Sequence, residues 1–246
     1  MPTKPTLEAA GAASVSGRAS SGPESRGHWL ILAAALGLTL FFYWTRTDTI
    51  GVRCPTRGWF PMTAAPLGPA AYCLAAGLLL GVMPLAVARL AGRLGWAEIG
   101  LGWGRGKVGA FWLLVGIPVA VLAGWVSAAS PITRAVYPLD AGLTPTAGPF
   151  LLHAARLLVY YTAWELLFRG ILLAGLTRTM GFAGANVLQT ALSVVAHFGR
   201  PFMETAAAIP AGLAFGGVAR ATGSIWYVVI IHWVVGLAQD WFIITG

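Results

Sequence analysis

Four residues of this chain are of types and spacings that could do chemistry in an apolar setting. Glu165 and Arg169 lie four apart in Ala163-Trp164-Glu165-Leu166-Leu167-Phe168-Arg169-Gly170. On a helix that spacing stacks both side chains on one face, with the acid N-terminal, the favourable order. The pair reads in two ways. It neutralises itself so that both groups survive among apolar neighbours, or the guanidinium holds ready a carboxylate that serves as general base towards water. His197 and His232 fall on two further apolar runs. An imidazole can donate to a carbonyl oxygen as charge develops there, or hold a water beside a carboxylate.

Two more carboxylates have double readings. Glu204 follows His197-Phe198-Gly199-Arg200-Pro201-Phe202-Met203. Pro201 fits a break or the first turn of a new helix, where Glu204 complements the helix dipole. Alternatively, Glu204 is a second carboxylate beside His197. Asp240 lies eight residues after His232, roughly 80° around a helix; it joins the cluster or faces the outer interface. Arg156 is another charge inside an apolar run, and His153, on the run of Glu165, reads as a core or interface residue.

The elements that must position these groups are membrane spans. The chain has 246 residues, of which 57% are hydrophobic and 10% charged, with a mean hydropathy of +0.75. A soluble domain carries about 25% charged residues and alternates polar with apolar positions. Here whole stretches are apolar all round, the pattern of helices surrounded by lipid or buried in a bundle. An ionised Asp, Lys or Arg within such a helix costs on the order of 2.5–3.5 kcal/mol, so each one is a functional hypothesis.

Runs near the length of about 20 apolar residues that a bilayer requires lie at 29–45, 68–90, 108–129, 148–176, 182–198, 203–219 and 224–244. The expectation is an all-α polytopic bundle of about seven spans, within a range of six to eight. Residues 1–27, rich in Ser, Gly, Ala and Pro, read as a disordered tail, and residues 28–246 as a single transmembrane domain. The tail is too long and polar for the start of a signal peptide, so the first run reads as a retained anchor. No internal repeat and no β-barrel alternation is present.

The net charge of +8 is not gathered into a basic stripe, which excludes the usual nucleic-acid footprint. The cations fall between apolar runs as topology signals. With the N-terminus inside, the inner loops hold Lys4, Arg18, Arg26, Arg89, Arg93, Arg105, Lys107, Arg178 and Arg220; the outer hold Arg46, Arg53, Arg57, Arg134 and Arg200. The balance favours a cytoplasmic N-terminus in a cell membrane, read as the inner membrane of a bacterium. Cys54 and Cys73 belong to no metal-ligand spacing.

Glu165-Leu166-Leu167-Phe168-Arg169-Gly170, then His197 closing a later span, then Thr222-Gly223-Ser224 leading into the span of His232, resemble the CPBP family. These are CAAX-prenyl-protease-type and bacteriocin-processing membrane proteins, classed as glutamic intramembrane endopeptidases. The likeness covers roughly residues 148–244. The family pattern is Glu-Glu-x-x-x-Arg, Phe-x-x-x-His and His-x-x-x-Asn. This chain has Trp164 at the first Glu, Ser193 at the Phe and Gly236 at the Asn.

The resemblance implies hydrolysis of a peptide bond in a membrane-anchored protein or peptide. In the implied mechanism Glu165 activates water, with support from Glu204, and Arg169 fixes the carboxylate. His197 shares the water, and His232 steadies the oxyanion. No metal or other cofactor is required. Zinc is the minor alternative, since one Glu and two His form a ligand set, but His-Glu-x-x-His is absent. Trp164 favours a different class, a catalytically inactive scaffold or immunity-type protein. A small transporter is the third class, and it predicts inverted repeats.

Overall fold

The computed structural model describes residues 23–45 and 68–246. Of the tail expected over residues 1–27, residues 1–22 lie outside the described residues, as does the expected loop with Arg46, Arg53, Cys54 and Arg57, whereas residues 23–27 are helical. Within them are eight helices and no strand: α1 (Pro23–Thr45), α2 (Pro69–Leu90), α3 (Trp96–Ile99), α4 (Gly106–Ala128), α5 (Pro131–Val136), α6 (Ala147–Ala196), α7 (Phe202–Thr222) and α8 (Trp226–Thr245). Five of these, α2, α4, α6, α7 and α8, are long and apolar enough to cross a membrane, and α1 carries a shorter apolar stretch at Gly27–Phe42. The protein is an integral membrane helical bundle.

Helix α6 is 50 residues long, about 75 Å at 1.5 Å per residue, which is more than twice the hydrocarbon core of about 30 Å. It is broken at Gly181, where φ is 73° and ψ 169°, a backbone conformation open essentially to glycine alone. The two arms fold back on each other. Trp164 and His197, seventeen and sixteen residues either side of Gly181, meet edge to face with ring centroids 5.2 Å apart. Counting both arms and α1 gives the seven expected segments.

Small residues set how closely the helices approach, as is usual where lipid supplies no hydrophobic drive between them. Gly109, Gly116 and Gly124 of α4 share one face, turned to α8. A methyl group on Gly109 would fall inside the Tyr227 ring, one on Gly116 would lie 2.5 Å from Ile231 Cδ1, and one on Gly124 2.7 Å from Ala238 Cβ. Gly212 and Gly216 of α7 do the same for the short arm of α6, meeting Thr190 and the Asn186 amide, whereas Gly217 faces open space. The opposite faces present large apolar side chains outward, among them Phe111, Leu114, Val119, Leu122 and Trp125 of α4. In water such a surface would mark an interface; on a membrane bundle it is the lipid face.

Polar bonds tie the same helices. Ser127 Oγ donates to Gln239 Oε1 (2.7 Å), joining α4 to α8. Asn186 Nδ2 donates to the Leu213 carbonyl (3.1 Å), joining the short arm to α7. Two π-helical stretches interrupt the regular helices, at Gly77–Val82 in α2 and Leu166–Leu172 in α6. The second begins one residue after Glu165 and contains Arg169. Such bulges concentrate at functional sites.

Candidate active site

Glu165 is fully buried, and Arg169 nearly so. Arg169 Nη1 donates to Glu165 Oε1 at 3.2 Å and stands 3.1 Å from Oε2, where it makes an ion pair without hydrogen-bond geometry. The second partner comes from α8, where His232 Nδ1 lies 2.5 Å from Glu165 Oε1. A carboxylate accepts, so Nδ1 carries the hydrogen, leaving Nε2 as the ring nitrogen available to the cavity. Phe215 of α7 closes this knot, its ring centroid 5.4 Å from the Arg169 guanidinium and 5.4 Å from the His232 ring.

His232 also borders a cavity of about 70 Å³, room for more than one water at roughly 10–15 Å³ each. Its other walls include Tyr72, Tyr137, His153, Tyr160, Tyr161, Trp164, His197, Arg200, Glu204, Gly236 and Asp240. Glu165 and Arg169 are not among them. Of the residues singled out in the sequence, His197, His232, Glu204 and Asp240 meet in the cavity. Glu165 and Arg169 stand behind His232, and Arg156 lies at the bundle edge paired with Asp140 (3.3 Å).

Glu204 enters from the first turn of α7. Tyr137 Oη donates to its carboxylate, 2.8 Å from Oε2 and 3.0 Å from Oε1. Arg200 Nη1 and Nη2 donate in turn to the hydroxyls of Tyr137 (3.2 Å) and Tyr72 (2.8 Å). Burial, seconded by the negative charge of Glu204, keeps the Tyr137 phenol well above its ordinary pKa, so it stays a proton donor. His197 closes the short arm of α6. Its Nδ1 lies 2.7 Å from the Ser193 carbonyl, which accepts, so Nε2 of the neutral ring is left as an acceptor. Thr205 Oγ1 donates to the His197 carbonyl (3.0 Å), locking this turn to the start of α7.

Two features escaped sequence reasoning. His153 Nε2 pairs with Asp240 Oδ2 at 2.8 Å, with both side chains buried, and Asp240 Oδ1 is left without a hydrogen-bond partner. The only signal was that both residues are ionisable and lie in apolar runs. Tyr161 packs its ring on His232, centroids 4.4 Å apart, and its hydroxyl occupies the space beside Gly236, where a methyl group would strike it. Nothing in the local sequence distinguishes this tyrosine from its neighbours. Among the described residues, no three His, Cys, Asp or Glu side chains converge as a metal site.

The segment that carries Glu165, Arg169, His197 and His232 has a counterpart among known proteins. Residues 146–238 match the family model for the type II CAAX prenyl endopeptidase Rce1-like. This segment is Rce1-like. It takes in α6, α7 and most of α8, and agrees with the CPBP resemblance read from the motifs. No curated protein and no solved structure matches the chain. Helices α1 to α5 lie outside the Rce1-like segment, yet α2 contributes Tyr72 to the cavity, and the loop before α6 contributes Tyr137.

Proposed function

We propose that the protein is an intramembrane endopeptidase that hydrolyses a peptide bond of a membrane-associated protein with water drawn from this cavity. The observation that carries the reading is that Glu204, His197 and His232, all from the Rce1-like segment, face one cavity. Trp164 stands where the related motif has a carboxylate, and its Nε1 is buried without a partner. Glu204, arriving from another helix, supplies a carboxylate to the same cavity.

In this mechanism Glu204 takes one proton of a water that His197 Nε2 also holds, and the water's oxygen attacks the carbonyl carbon of the substrate. The tetrahedral oxyanion accepts a hydrogen bond from the Tyr161 hydroxyl, with His232 beside it. Collapse breaks the C–N bond, and the proton taken from water returns to the departing amine. Glu165 and Arg169 are positioning residues; through Nδ1 they fix the ring of His232. The cycle uses no cofactor, and zinc remains the less supported alternative. We place the protein in a bacterial cell membrane.

The test compares protein termini in membranes of cells that make the wild type, Glu204→Gln or His197→Ala at equal abundance. The expected result is a set of new termini on membrane-anchored proteins that only the wild type produces. Identical termini from all three cells overturn the peptidase.

A further inference from the structure

The two ends of the bundle differ, and the difference bears on where a substrate comes from. At one end lie the start of α4, the end of α7, the start of α8 and the hairpin tip of α6, all covered by the segment 91–105. Arg105 N donates to the Thr222 carbonyl (2.7 Å), Ile225 N to the Gly100 carbonyl (3.0 Å), and Trp226 Nε1 to the Leu101 carbonyl (2.7 Å). Ile99 is fully buried. This end is sealed.

The cavity walls lie towards the other end. Tyr137 and Leu139 belong to the loop before α6, Arg200 to the turn before α7, and Tyr72 to the start of α2; Leu139 is the most exposed of the lining residues. His153 and Asp240, low on α6 and late on α8, continue the cavity wall on that side. A chain reaching the catalytic groups therefore enters from this end.

Charge separates the same two ends. The sealed end carries Arg89, Arg93, Arg105, Lys107, Arg178 and Arg220, with the carboxylates Glu98 and, by sequence at the start of α1, Glu24. Gly95 N and Arg178 bond to Glu98 and hold its carboxyl below the ordinary value. The open end carries Arg134 of α5 and Arg200 of the turn before α7, alongside Asp140 and Glu204. Adding Lys4, Arg18 and Arg26 to the first and Arg46, Arg53 and Arg57 to the second by sequence gives nine cations against five. Orientation follows the excess of Lys and Arg in short loops, which stay in the cytoplasm.

We infer that the sealed, basic end is cytoplasmic and that the cavity opens to the opposite face. The substrate class is then a membrane-anchored protein cut on the outer flank of its anchor, not one offering a cytoplasmic tail. The substrate half of this inference rests on the peptidase reading; the orientation half does not.

The orientation is tested with single cysteines in a full-length Cys54→Ser, Cys73→Ala background, probed in intact cells by a membrane-impermeant maleimide. Ala141 and Ala97 are exposed at the open and sealed ends. The expected result is that Ala141→Cys labels in intact cells and Ala97→Cys only after permeabilisation. The reverse pattern, or equal labelling of both in intact cells, overturns the orientation. Labelling needs no turnover, so its failure leaves the peptidase standing. For the substrate, the new termini of the wild-type cells are expected on outer flanks of anchors. Termini on cytoplasmic flanks, or none, overturn that half.

Discussion

His232 Nδ1 stands 2.5 Å from Glu165 Oε1, and the carboxylate it meets has no solvent-exposed surface. The glutamate of the sequence motif thus bears on the cavity through an imidazole. Glu204, from outside that motif, is the carboxylate in the cavity wall.

This arrangement separates the two acids by experiment. Glu165→Gln leaves the Arg169 guanidinium buried without a counter-charge. Removing one partner of a buried pair costs about 3–5 kcal/mol. The expected outcome is a lower unfolding temperature in detergent and a lower protein level. Glu204→Gln, in the cavity wall and held by the Tyr137 hydroxyl, is expected to keep the wild-type level while losing processing. Equal stability losses for the two variants would contradict the assignment.

Tyr161 and Gly236 make a second pair. Removing one donor to an oxyanion costs on the order of 10²–10³ in kcat, and Tyr161→Phe removes only the hydroxyl. Gly236→Ala puts a methyl group where that hydroxyl lies, and is expected to lower turnover in the same range with the Tyr161 side chain still present. The rate at which the wild-type termini appear, at matched protein level, reads both. An unchanged rate in Tyr161→Phe removes the hydroxyl from the mechanism.

The hairpin of α6 hangs on one residue. At Gly181 nothing lies within 4 Å of an added methyl group, so the obstacle is the backbone, with φ at 73°. Forcing an L side chain into such a conformation costs about 1–3 kcal/mol. Gly181→Ala is expected to lower the unfolding temperature, whereas Gly148→Ala, equally open but within an ordinary helix, is not. A Gly181→Ala protein as stable as the wild type would mean that the arms can turn another way.

The membrane class and the helical segments were legible in the sequence because each depends on the composition of one contiguous run. Apolar residues over about 20 positions suffice, whatever the neighbours are. The Glu165–Arg169 contact was legible for the same reason, since a four-residue separation is a fixed distance on a helix. Even the break at 181 announced itself as a glycine between two apolar runs.

Which carboxylate borders the cavity is decided only by the packing of helices far apart in the chain. Glu165 and His232 are 67 residues apart, and His153 and Asp240 are 87 apart; no periodicity reports such a meeting. Glycine faces on α4 and α7 let α8 and the short arm of α6 approach closely enough for side chains to cross between helices. Gly236 of α8 does the same for the long arm of α6, where Tyr161 lies against it and His232 stands between Glu165 and the cavity. The composition of a run fixes its solvent, while the rotation of each helix about its own axis decides which polar groups share a space. That rotation is set by contacts between runs, and no single run contains it.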